Sequence, residues 1–417
     1  MIDAAHLRVG SWWAHEWRDL RERRPGFASA LTAVAARPAV LVVAAALIAG
    51  VLGAGIPGGD ARWFQSAGRS MLGPDAFDVY ANPGLQIGPL YLLAVGLLAA
   101  AADVVGLPVL FTVAAVQAAV NVALALETVR RWAVHRGVPV RPAQWGVAAP
   151  LAIGGLMAES VGNGHPEEIF LGLLLALVAL AVAEGRPWAP GLLLGLGVGI
   201  KLWACLGAPI VLVRGRRFRE MVRDGLTTMI VVAAAYGPFF AFGDVRTFEF
   251  SWGSLGSPLS ALAAELGWGD WALRVLQGAL VLLAGGLTGL VLRRSGLAVV
   301  LVILGVRLAL DPLSMTYYSG PLLVVLLAWV WTGDPRLRRW GPGLSLAVPA
   351  LVLAPYFLPA TVHDAALRLG YVLVVLAAVL RRVASEGQEQ MVTSTTVAEP
   401  PVATTRTPES GISRTSG

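Results

Sequence analysis

From Val40 to Leu380 the chain alternates long apolar runs with short polar interruptions. Runs of roughly 17–25 residues are long enough to cross a bilayer as helices. They lack the period-two alternation of a membrane barrel, and within hydrocarbon only a helix or a closed barrel satisfies its own backbone polar groups. The pattern predicts an all-α, polytopic membrane protein. The first run is preceded by a polar arm, residues 1–37. In it SWWAHEWRDLRERR places Trp12, Trp13 and Trp17 beside arginines at helix-compatible spacing, which suits an amphipathic helix lying on the inner membrane surface. The arm is too long and too charged for a cleavable signal peptide, so the first run reads as a retained anchor. The membrane domain spans 38–382. Residues 383–417, rich in Ser, Thr, Pro and Gly without apolar periodicity, are expected to form a disordered cytoplasmic tail. No internal repeat of the transporter type is visible.

Composition agrees: 56% of the residues are apolar and 14% charged. A net charge of +6 could suggest nucleic-acid binding, but the arginines are distributed among short loops between apolar runs instead of marking one soluble face. They report topology, and no nucleic-acid partner is expected. The basic loops fall at 130–141, 186, 214–223, 293–294, 336–339 and 381–382, and the positive-inside rule assigns them, with both termini, to the cytoplasm. Keeping the N-terminal arm and the 130–141 loop on one side requires that one of the three intervening runs not cross. The run at 88–105, broken by Pro89 and Gly96 and carrying Asp103, is the shortest and reads as a re-entrant or interfacial helix within a long outer loop, 57–107. By the same parity two short helices meet at Lys201. The count comes to about twelve crossings. Cys205, the single cysteine, lies in an apolar run, which leaves neither a disulfide framework nor a thiolate metal cluster.

Candidate chemistry gathers near the outer ends of the runs. Asp60 follows Gly58 and Gly59 directly after the first span, with Phe64, Ala67, Gly68 and Met71 behind it at helical spacing. It reads either as the N-cap of an amphipathic helix or as a catalytic carboxylate. Lys201 is the only lysine of the chain; it is either a functional intramembrane cation or a snorkelling residue at a helix end. Arg307 either supplies a second positive charge or pairs with Asp311 at i,i+4. In NGHPEE, Pro166 with Glu167 and Glu168 makes an ordinary helix start, while His165 and the two acids also form a candidate acceptor-binding set. Trp252, in FEFSWGSLGSPLS, lies in a candidate substrate lip. Tyr317 and Tyr318 read as aromatic-belt residues. No metal and no cofactor are expected.

An Asp just past the first span, the stretch Ala67, Gly68, Arg69, and a proline-led apolar helix at Pro89 and Leu90 resemble the first outer loop of the GT-C glycosyltransferases. The segment from NGHPEE through GLLLGLGVGIKLWACLGAPIVLVRGR is similar to the matching part of glycosyltransferase family 87, the polyprenyl-phosphate-mannose-dependent branch. The likeness covers about 50–215 and, more loosely, 300–335. It implies a GT-C-like fold and an inverting sugar transfer, of mannose in the matching branch, at the outer face of the cytoplasmic membrane, from a polyprenyl-phosphate-sugar donor to a lipid-linked or glycan acceptor of the cell envelope. In that scheme Asp60 is the base, Lys201 and Arg307 bind the donor phosphate, and His165, Glu167, Glu168 and Trp252 meet the acceptor. The rival expectation is a transporter or lipid flippase, which calls for paired half-helices and charges at mid-membrane.

Overall fold

The computed structural model describes residues 15–55, 59–212, 217–251, 265–291, 296–313 and 315–396. Every described regular element is helical. Residues 15–23 are helical, with Arg21 over the Trp17 ring, and the expected helix partners Trp12 and Trp13 lie outside the described residues. Helix α1 (Pro25–Ala35) then meets α2 (Val40–Gly55) at a bend of 86°.

Helix α3 (Ala61–Ser70) and helix α4 (Pro89–Val104) follow α2, and α5 (Val109–His135) returns along it. Lipid tails are as apolar as leucine, so helices in a bilayer associate by close contact across small residues. That is how α2 and α5 meet: Gly50 lies under the ring of Phe111, and Gly53 faces Ala114 and the backbone of Leu110. After α6 (Val140–Ala152) and α7 (Leu156–Gly162) comes α8 (Pro166–Ala183), the centre of the molecule. Of its apolar window 83% is buried, against 6% for α10 (Phe218–Phe242) and 11% for the stretch Ala360–Arg381. Those two present their flanks outward.

Between α8 and α10 the chain forms α9 (Ala189–Ile200) and then a 3-10 helix, Leu202–Leu212. The expected meeting of two short helices at Lys201 is what the backbone shows, with Lys201 extended at φ −158° and ψ 130°. The chain closes through α11 (Asp270–Val291), α12 (Gly296–Ala309), α13 (Ser319–Trp331), α14 (Gly341–Leu353) and α15 (Ala360–Thr396). Helix α15 therefore continues past residue 383, where disorder was expected to begin, and 397–417 lie outside the described residues.

Five described helices are long and apolar enough to cross a membrane, or six if the bent α1–α2 pair counts as one. The expectation of about twelve crossings needs α6, α9, the 3-10 helix, α12, α13 and α14 as well. Each of these has 11 to 14 residues, and 14 residues of α-helix reach only about 21 Å. On length alone they go part of the way across. Helix α4, with 16 residues, spans about 24 Å and lies beside α5, which is about 40 Å long. Its start is tied near Lys201 by a hydrogen bond from Gly88 N–H to the Ile200 carbonyl (2.8 Å), and Tyr91 Oη accepts from Gln117 Nε2 of α5 (3.0 Å). The segment from α3 to α4 builds its own small core from Phe64, Tyr80, Leu85, Ile87, Tyr91 and Leu92, with Phe239 of α10 added.

Candidate functional site

Two glycines bring the segment that leads into α3 against the start of α8. Gly59, at φ +54°, sits so close to the Asn163 carbonyl that no side chain fits, and Gly164, at φ +82°, faces the backbone of Asp60 and Ala61 in the same way. Both angles lie in the left-handed region that glycine enters freely. The crossing is pinned by Asp60 N–H donating to Asn163 O at 3.3 Å. Every residue of NGHPEE is thereby engaged, because the Pro166 carbonyl also accepts from Asn121 Nδ2 at 3.3 Å.

Asp60 occupies the N-cap position of α3, yet its side chain makes no capping bond. Its Oδ2 instead lies 3.0 Å from His165 Nε2. On the other side of the ring, Nδ1 lies 2.7 Å from Glu167 Oε1. The same Glu167 oxygen accepts from Lys201 Nζ at 2.9 Å, and Glu168 Oε1 lies 2.7 Å from that ammonium. Glu168 Oε1 also accepts from Trp203 Nε1 at 3.2 Å. Arg307 ends the series: its Nη1 is 3.6 Å from Glu168 Oε2, and its guanidinium lies over Trp203 at 4.1 Å and Tyr318 at 5.2 Å. Asp60, His165, Glu167, Lys201, Glu168 and Arg307 form one continuous chain.

Exposure grades along it. The Asp60 side chain is 45% exposed, His165 8%, Glu167 1% and Glu168 0%. Asp60 is the member that opens outward, and among the described residues only His165 bonds its carboxylate. Both ring nitrogens of His165 face carboxylate oxygens, which accept and never donate when ionised, so the imidazolium satisfies both contacts and the neutral ring only one. Burial disfavours that charge, but the Glu167 carboxylate and the bond to Asp60 outweigh burial and the opposing Lys201, holding the imidazole above its ordinary range. With His165 charged, three carboxylates balance three cations, as buried ions require.

The network corrects several readings made from sequence. Lys201 is not a lone cation, since two carboxylates hold it. Glu167 and Glu168 both face Lys201 within the protein. Arg307 does not pair with Asp311, which takes Arg274 Nη1 at 2.8 Å and the Leu313 N–H at 3.0 Å. Tyr317 is no belt residue: its ring stacks on His165 at 4.4 Å and 12°. Tyr318 belongs with Arg307, as above. Trp252 lies outside the described residues.

Helix α3 is docked by the very stretch that carried the family likeness. Gly68 meets the backbone of Leu92 and Gly96 on α4, and Arg69 Nη2 bonds Asp103 Oδ2 at 2.7 Å. Sequence reading passed over Glu159 of α7, which accepts from Asn163 Nδ2 (3.1 Å), Tyr356 Oη (2.7 Å) and Thr316 Oγ1. It ties the turn ahead of Tyr317 to the NGHPEE segment; nothing local in the sequence marks it. Three buried atoms in the centre lack a hydrogen-bond partner: Glu167 Oε2, Glu168 Oε2 and Arg307 Nη1. Among the described residues no three His, Cys, Asp or Glu side chains are arranged to hold a metal ion.

No family model, no curated protein and no solved structure matches this chain.

Proposed function

We propose that the chain is an inverting glycosyltransferase that moves a sugar, with mannose the first to test, from a polyprenyl-phosphate donor to a cell-envelope glycolipid or polysaccharide acceptor at the outer membrane face. The observation that carries the reading is the half-exposed Asp60 carboxylate, held from behind by His165 and not spent on capping its own helix. The sequence likeness of this loop to the GT-C enzymes supports it as well. In the proposed step Asp60 takes the proton of the acceptor hydroxyl while that oxygen bonds to the anomeric carbon and the carbon–phosphate oxygen bond breaks. The phosphate leaves with the electron pair. His165, charged and bonded on both sides, orients Asp60.

The donor phosphate needs positive charge where its own charge develops. Lys201 is already neutralised by Glu167 and Glu168, whereas Arg307 reaches a carboxylate only at 3.6 Å and its Nη1 makes no hydrogen bond, so Arg307 is the better ligand. Asp60→Asn keeps the shape and removes the base. Purified protein supplied with polyprenyl-phosphate-mannose should then lose transfer by at least ~10²-fold, the usual contribution of a positioned base. Transfer at the wild-type rate by a folded Asp60→Asn protein would remove Asp60 from the role.

A second reading, a transporter or lipid flippase, is favoured by one feature: buried, hydrogen-bonded ionisable chains also serve as proton relays in membrane carriers. Liposomes holding the protein separate the two. Movement of a lipid-linked sugar between leaflets with no new glycosidic bond supports the carrier.

A further inference from the structure

The end of α10 farthest from Lys201 carries a groove that the proposed transfer does not use. The opposite end of that helix belongs to the site, where Tyr236 Oη donates to Val198 O at 3.0 Å. At the near end Phe218, Val222, Leu226 and Ile230 recur every fourth residue and form one apolar strip, while Arg219 and Arg223 occupy the adjacent row. Trp188, across from them at the start of α9, closes a groove of about 500 Å³. That size is within the ~300–1,000 Å³ of sites for small organic ligands.

Two observations set this groove apart from the ordinary outer flank of a membrane helix. Trp188 is the one non-glycine residue in the left-handed region among those described, at φ +64°, with Ala189 N–H bonded back to the Pro187 carbonyl at 2.7 Å. A bulky residue held there is strained, and such strain persists only where the surroundings enforce it. The strained turn aims the indole at the groove, where the Arg223 guanidinium lies over the ring at 5.4 Å. Arg223 is itself anchored, its Nε bonding the buried Asp224 Oδ1 at 3.1 Å. The lining thus pairs an apolar trough with a fixed basic rim, complementary to an amphiphile with an anionic head and at least one hydrocarbon chain.

We infer that this groove binds one anionic phospholipid, with its phosphate between Arg219 and Arg223 and an acyl chain along the strip from Phe218 to Ile230. The inference does not depend on the proposed sugar transfer. The full-length protein, exchanged into phosphatidylglycerol or phosphatidylcholine in detergent, is examined by native mass spectrometry for retained lipid. Phosphatidylglycerol should be kept in preference to phosphatidylcholine, and Arg219→Gln, at an exposed position, should weaken its retention about fivefold, as one arginine near an anionic lipid does. Arg223→Gln should add to that loss, and Ile230→Trp, which fills the trough, should lower retention with both arginines present. Inorganic phosphate alone should not displace the lipid. Equal retention of the two lipids, wild-type retention by the folded Arg219→Gln protein, or displacement by inorganic phosphate overturns the inference. So does a folded protein that retains neither lipid.

Discussion

The two ends of α8 carry the same chemistry in opposite surroundings. At its start Glu167 and Glu168 hold Lys201 with 1% and 0% of their side chains exposed. Just past its end Glu184, 22% exposed, lies 2.7 Å from Arg131 and within bonding distance of Arg186, which is 54% exposed. Both are carboxylate–cation clusters on one apolar helix. The outer pair is hydrated and screened, so its net worth is small, about 0–1 kcal/mol. The inner cluster has lost its water and is held by mutual compensation alone, so the loss of one partner leaves a buried charge without relief. The contrast supports placing the proposed chemistry at the start of the helix, because a cluster kept where it is costly needs a reason beyond stability.

The sharpest break in the comparison is Lys201→Met. It removes the cation and leaves two buried carboxylates facing each other, for which the expected cost is about 3–5 kcal/mol. Thermal unfolding in detergent should show a large fall in midpoint. Adding Glu167→Gln should restore much of it, since Asp60 then faces His165 and Glu168 faces Arg307, one carboxylate to each cation. A Lys201→Met protein that melts like the wild type would mean the cluster is hydrated and the contrast between the two ends unfounded.

Protonation of His165 tests the same end more gently. Its imidazole is held above its ordinary range, so folding favours the protonated form. The stabilisation is full below about pH 6.5, the value of a free histidine, and is lost as pH rises through the higher folded value. Melting midpoints should therefore decline from pH 6 toward alkaline pH, and His165→Gln should flatten that part of the profile. A slope that is the same in both proteins assigns it to another group. The effect is expected to be smaller than that of Lys201→Met, since Asp60 at the far side of the ring is half hydrated.

Much of this frame was legible before any coordinates. Asp60 after the first span and the break at Lys201 both follow from apolar run length and from a polar residue placed where none is comfortable. What stayed hidden was pairing. Lys201 and Glu167 are joined across two helices, 34 residues apart in sequence, and no local rule says which of the neighbouring charges a buried ammonium will take. Arg307 shows the converse. The i,i+4 rule offered Asp311, but that rule describes an isolated helix surface, and in the folded protein Arg274 takes Asp311 while Arg307 turns to Trp203 and Tyr318. Tyr317 was misread for a similar reason, because an aromatic near an apolar boundary has the same local context whether it meets lipid or stacks on a histidine. Helix length carries five or six of the twelve expected spans. Hydropathy registers where apolar chain begins and ends but not its rise per residue, and several of these runs fold into helices of 11 to 14 residues.

The smallest expected effect lies at the other end of α8. Glu184→Gln removes the carboxylate shared by Arg131 and Arg186, and both guanidinium groups can turn to water. The cost should not exceed about 1 kcal/mol. Ionic strength gives the more discriminating readout. At 1 M salt the screening length falls to about 3 Å, so the small difference between Glu184→Gln and wild type should vanish, while the deficit of Lys201→Met, enclosed by protein, should persist. If the two variants respond alike to salt, then water reaches Lys201 as freely as it reaches Arg186, and the start of α8 is an open, hydrated cleft instead of a dry relay behind Asp60.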